Sequence, residues 1–262
     1  MGTSSAYSGS GGKDGKAIRD TVQDYLDSLD SPAQPGQPNG NGKPQIDPTA
    51  IQNIINLIRP RTPSGSGGDG PGGGGGISSG SGTGSRGGGG PQRSTAGSAR
   101  TAGRAAAAAY AYRTGDTTTL ERLGLDYAEL RDLGDQFEVL RRIVAMACST
   151  PDSTIEDHEQ RRVAADVAEW VLGQEGDHYI PTPEEIVRQT IATIIAEAVL
   201  VETGELVNNH EQAELAESDI HDAAEALANR ATLSINGATE DEISRAVESG
   251  IETLRTINRG GT

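Results

Sequence analysis

Residues 182–204, TPEEIVRQTIATIIAEAVLVETG, decide the fold. Thr182 offers an N-cap oxygen, Pro183 suits a first helical position where no backbone N–H is needed, and Glu185 stands three residues after the cap to close a capping box. The run at 191–201, IATIIAEAVLV, is almost wholly apolar. A bilayer span needs about 20 such residues, and this run is shorter and interrupted by Glu197. It therefore predicts the central helix of a packed core, with Gly204 as its natural stop.

The same signals recur on both sides. Thr239 to Glu242, T-E-D-E, is a second capping box, opening a helix whose apolar face is Ile243, Val247, Ile251, Leu254 and Ile257. Between them, residues 208–233 predict a helix with Leu215, Ile220, Ala224 and Leu227 inward. Upstream, S-T-I-E at Ser153 to Glu156 starts a helix that places Val163, Val167, Trp170 and Val171 in the core. Residues 117–148 carry Leu120, Leu123, Leu130, Leu133, Phe137, Leu140 and Val144 along one stripe. No strand-like alternation occurs anywhere. The expected fold is all-α, a C-terminal helical body of five to six helices after a long, largely disordered Gly/Ser/Pro-rich arm.

The arm has its own pattern. Residues 64–90 are Gly and Ser apart from Asp69, Pro71, Ile77, Thr83 and Arg86, and such a segment has no apolar surface to offset its backbone entropy. Before it, Ile18, Val22, Tyr25, Leu26 and Leu29 fall on one helical face, and Ile51, Ile54, Ile55 and Ile58 on another behind the N-cap Asp47 and Pro48. Helices this short are marginal alone. Each needs a surface, on the body or on a partner protein. The expected organisation is a flexible tail with a short helix at 1–47, an amphipathic helix at 48–60, a linker at 61–93 and an acidic helical domain at 94–262.

Charge divides the chain. Residues 1–115 hold 11 Lys+Arg against 7 Asp+Glu (+4), and residues 116–262 hold 11 Arg against 31 Asp+Glu (−20), which gives the total of −16. An acidic body repels nucleic acid and anionic lipid. Arg93, Arg100, Arg104 and Arg113, set among alanines, predict a helix docked by its cations on that body rather than an RNA site, which would want more charge and stacking aromatics. The single Cys148, in an apolar run, allows no intrachain disulfide and suits a reducing cytoplasm.

Recognisable catalytic chemistry is thin. Gly42-Lys43 is followed by Pro44, so no P-loop forms, and neither G-x-S-x-G nor H-E-x-x-H occurs. His210 with Glu214, and Glu217 with His221, are four apart on expected helices and read as solvated salt-bridge partners rather than a metal site. No cofactor, metal or enzymatic activity is expected. The opening MGTSSAYSGSGG is neither a secretory signal nor an N-myristoylation signal, which needs Ser or Thr where Ala6 stands.

The MGTS start, Tyr7 and Gly9 in a glycine-rich lead, the Gly/Ser/Arg arm, the run RSTAGSARTAGRAAAAA and the acidic helical body together resemble the QatB family, the B components of Qat anti-phage defence operons. The resemblance implies a non-enzymatic component acting beside an ATPase, an enzyme related to 7-cyano-7-deazaguanine synthase and a TatD-like nuclease. It implies that Gly2 is a modification site, its amine receiving a group from the synthase-like partner, with Thr3, Ser4 and Tyr7 read by that enzyme. The N-terminal amine, with a pKa of about 7.7–8.0 against about 10.4 for Lys, is the most easily deprotonated in the arm. Two other readings stay open: a phage or secretion-associated assembly protein with a Gly-rich tether, and an RNA-associated adaptor.

Overall fold

The computed structural model describes residues 12–30, 45–59, 93–148, 155–173 and 179–260. The Gly/Ser run and the S-T-I-E cap residues Ser153 and Thr154 lie outside them. In chain order the elements are α1 (Lys13–Asp30), α2 (Pro48–Ile51), α3 (Ile54–Leu57), β1 (Ile58–Arg59), β2 (Arg93–Ser94), α4 (Thr95–Thr114), α5 (Thr117–Arg122), α6 (Tyr127–Asp132), α7 (Gln136–Ala147), α8 (Ile155–Gly173), α9 (Pro183–Asn208), α10 (Ala213–Ala228) and α11 (Glu240–Gly260). The fold is all-α. Among the described residues the body has six long helices, where five to six helices were expected, plus the one-and-a-half-turn α5 and α6. One two-residue parallel pair, Ile58 to Arg93 and Arg59 to Ser94, is the exception to the expectation of no strands.

Two helices form the middle of the molecule. Every residue of α9 from 191 to 200 is buried, so this helix has no solvent face over those turns. Its Thr182 capping box forms as the sequence implies, with Glu185 N–H donating to Thr182 Oγ1 at 3.3 Å and Thr182 N–H donating back to Glu185 Oε2 at 2.7 Å. The second central helix is α4. Ala99, Ala102, Ala105 to Ala109 and Ala111 are all buried, and α7, α8, α9 and α11 pack around it. The Ala/Arg run is thus the centre of the core and not a surface helix. Alanines all round let four neighbours approach closely. At Gly103 the approach is closest: a Cβ there would overlap Ser244 Oγ and lie 3.1 Å from the Glu240 carbonyl of α11.

Five sequence expectations are corrected. Gly204 does not stop α9, which runs on to Asn208 because the next turn brings Val207 fully into the core; one glycine costs about 1 kcal/mol in a helix, less than that burial returns. Consequently no helix starts at Asn208, and α10 spans only Ala213–Ala228. Phe137 is 67 % exposed, because α7 begins afresh after Gly134 (φ 64°) with Asp135 as its N-cap, and its buried face is Val139, Ile143, Val144 and Ala147. Ile257, two residues past the last buried position of α11 at Arg255, is also exposed, and Trp170 is only half-buried beside the stripe Val163, Val167 and Val171.

Candidate functional site

The arm helices lie on the body. In α1, Ile18, Val22, Tyr25 and Leu26 recur at i, i+4, i+7 and i+8 and are buried, chiefly against α9. The core continues through Ile46, Ile51, Ile54, Ile55 and Ile58, so α1 to α3 and the body share one hydrophobic interior. The arm helices therefore find their surface within this chain, and the single helix expected at 48–60 is instead α2 and α3, broken at Gln52 and Asn53 and followed by β1.

Polar groups fix the register. Glu202 of α9 has a fully buried side chain and is paired by Arg19 of α1. A carboxylate left alone there would be strongly unfavourable, so α1 supplies the compensating charge. The Tyr25 hydroxyl donates to the Asp219 carboxylate of α10. Burial first, then that carboxylate, push the phenol well above its ordinary range, so Tyr25 stays a donor. At the end of α1, Asp30 lies 3.3 Å from His210 Nε2, and Gln212 Nε2 donates to the Leu29 carbonyl. His210 Nδ1 accepts the Gln212 N–H at 3.1 Å, which leaves the ring proton on Nε2, facing Asp30. Because Arg19 meets Glu202 and Asp30 meets His210, α1 runs in the same direction as the last turns of α9.

The second anchor is α2 with α3. Asp47 accepts the Thr49 N–H at 2.8 Å as the N-cap, with Pro48 at the first helical position. Arg255 of α11 is buried, and its Nε donates to the Ile55 carbonyl at 3.1 Å. A cation set at the carbonyl end of a short helix satisfies both its orphan acceptors and its dipole.

A small cleft beside this anchor is lined by Ile58, Ser98, Glu159, Val163, Ile194, Glu197 and Ala198. Its volume is about 10 Å³, room for one water and not for a substrate. Glu197 is paired there with Arg162 at 3.2 Å.

Of the arginines read as docking cations, Arg104 and Arg113 are engaged internally. Arg113 donates to the carbonyls of Val171, Leu172 and Tyr179, closing the C-terminal end of α8. Arg104 lies 3.7 Å from Glu240 of α11, and Arg100 is exposed. His210 belongs to the α1 anchor and His221 is exposed on α10. Cys148 is partly buried against the core. Among the described residues no cluster of His, Cys, Asp and Glu has metal-binding geometry, and no helix is long and apolar enough to cross a membrane.

Gly2, Thr3, Ser4 and Tyr7 lie outside the described residues. What the structure places is the element that carries them, α1, which starts at Lys13. Of the residues that hold it, Arg19, Glu202 and Asp219 were not picked out by the sequence, and Tyr25 was read only as part of the apolar face; Arg255, which holds α3, was not picked out either. Glu202 had a signal: a carboxylate directly after a long apolar run, on a helix with no solvent face nearby, requires a partner charge. No protein-family model matches the chain, no curated protein is similar to it, and no solved structure matches it.

Proposed function

We propose that this chain is a non-enzymatic component of a Qat-type anti-phage defence operon, in which an acidic helical body presents an N-terminal tail to a partner enzyme related to 7-cyano-7-deazaguanine synthase. Gly2 is the modified residue, through its free amine after removal of Met1, and Thr3, Ser4 and Tyr7 are read by the partner. The ATPase and TatD-like nuclease of the operon complete its cytoplasmic surroundings.

The observation that carries this reading is the anchoring of α1. Among the described residues, nine large apolar side chains between positions 18 and 58 are buried, and Arg19 and Tyr25 are paired with the body. The tail thus leaves from a fixed point. Gly2 lies ten residues before Gly12, so its amine reaches at most about 35 Å from the start of α1. That is enough to enter an enzyme's active site while the two proteins dock through their folded parts. The engagement of Arg104 and Arg113 inside the fold weighs against the RNA-adaptor reading, since few free cations remain on α4.

Coexpression with the operon enzymes tests it. The intact protein is expected to lose Met1 and gain mass on the Gly2 amine. Gly2→Glu, which retains Met1, is expected to abolish both the added mass and phage protection while leaving the melting temperature unchanged. A bare Gly2 mass, with Gly2→Glu still protecting cells, would show the tail to be a tether, as in an assembly protein.

A further inference from the structure

The chain between Arg59 and Arg93 joins two points that already sit side by side. Ile58 pairs with Arg93 and Arg59 with Ser94. The 33 residues of 60–92 therefore join two ends that the fold holds next to each other. On the arm side stand Ile18, Val22, Tyr25, Leu26, Ile46, Ile51, Ile54, Ile55 and Ile58, each at most 7 % exposed. On the body side stand α9, α10 and α11, offering buried Glu202 to Arg19, Asp219 to Tyr25 and buried Arg255 to the Ile55 carbonyl. An interface of this kind resembles a domain core cut in two rather than a transient contact.

We infer that the surface formed by α9, α10 and α11 is a protein-recognition site whose ligand is segment 12–59, held in trans, so that a chain cut within 60–92 remains an arm–body complex. The apolar face gives the arm its affinity. The polar pairs give it specificity, because an amphipathic helix lacking a cation at the position of Arg19, one residue after Ile18, would leave Glu202 buried and uncompensated. Proteolysis in 60–92 is then silent: the N-terminal tail stays on the body after the nick. This does not depend on what happens at Gly2.

The test uses the whole chain. A site for a sequence-specific protease replaces residues 74–79, the purified protein is cut, and complete cleavage is verified by mass. Gel filtration at low micromolar concentration is expected to show both fragments in one peak at the position of the uncut protein, and the arm to dissociate only on much greater dilution. Separate elution of the N-terminal fragment at low micromolar concentration would overturn the inference. In Arg19→Glu, whose uncut form keeps the arm in place through the high effective concentration of a tether, the nicked protein is expected to release its arm at least about 30-fold more readily than the parent. Equal retention in the nicked parent and nicked Arg19→Glu proteins would overturn the recognition by Glu202.

Discussion

Gly103 looks like a defect in the sequence, a glycine within an otherwise alanine-rich helix. Replacing it with Ala removes a propensity penalty of about 1 kcal/mol. The structure reverses that expectation, because the added Cβ meets Ser244 Oγ and the backbone of α11. Gly103→Ala is expected to destabilise by about 1–3 kcal/mol net, read as a lower midpoint in urea. Asp166 of α8 gives a prediction of the other sign. Burial holds its carboxyl above the usual range, opposed by Arg162 and His221 and reinforced by Glu169. The native state therefore holds this proton more tightly than the unfolded chain, and stability falls as pH rises from the ordinary carboxylate range, about 3.9, through the raised value. Asp166→Asn should raise the melting temperature at pH 7, and the gain should vanish below about pH 4. A constant gain across that range would place its cause elsewhere. Neither residue was legible beforehand. A glycine's need for space and a carboxylate's burial are set by the neighbouring helix, which local sequence does not name.

Helices, by contrast, announced their starts. The boxes at Thr182 and Thr239 both form, and Glu185 and Glu242 are held below the usual carboxylate range, Glu185 first by the Tyr179 hydroxyl and then by Thr182, Glu242 by the Thr239 hydroxyl and N–H. Thr182→Ala is expected to cost about 1 kcal/mol at neutral pH. These carboxylates have depressed folded values, so their contribution is present above the ordinary range and is lost as pH falls through the folded value. The cost of Thr182→Ala should accordingly shrink in acid, and thermal melts at pH 7 and pH 3 would check this. Helix ends were harder to read. Gly204 carries the same local signal as a true stop, and only the burial of Val207 three residues later keeps α9 going. The short helices had a signal that went unused: Asp116, Asp126 and Asp135 cap α5, α6 and α7, each preceded within two residues by a glycine of positive φ. The alanine run of α4 misled for a different reason. Alanine is at home on a surface helix and in a tight core alike, so its role is decided by what packs on it.

Across the molecule, the swing from a mildly basic N-terminal part to a body of −20 was legible in the sequence, and the structure shows individual ion pairs, Arg19 on Glu202 and Arg104 near Glu240. The amphipathic faces of the arm were legible as well, but their partner was not, because a face of Ile, Val and Leu fits many grooves. Buried Glu202 and Asp219 make this groove the right one. By these contacts α1 belongs to the same cooperative unit as α9 and so fixes the origin of the tail. Native-state hydrogen exchange followed by mass spectrometry tests it most directly. Amides of residues 18–30 are expected to be protected to a degree approaching that of residues 191–200, and to lose protection together with them as denaturant is added. Exchange of residues 18–30 at the rate of unstructured chain, with residues 191–200 still protected, would contradict it.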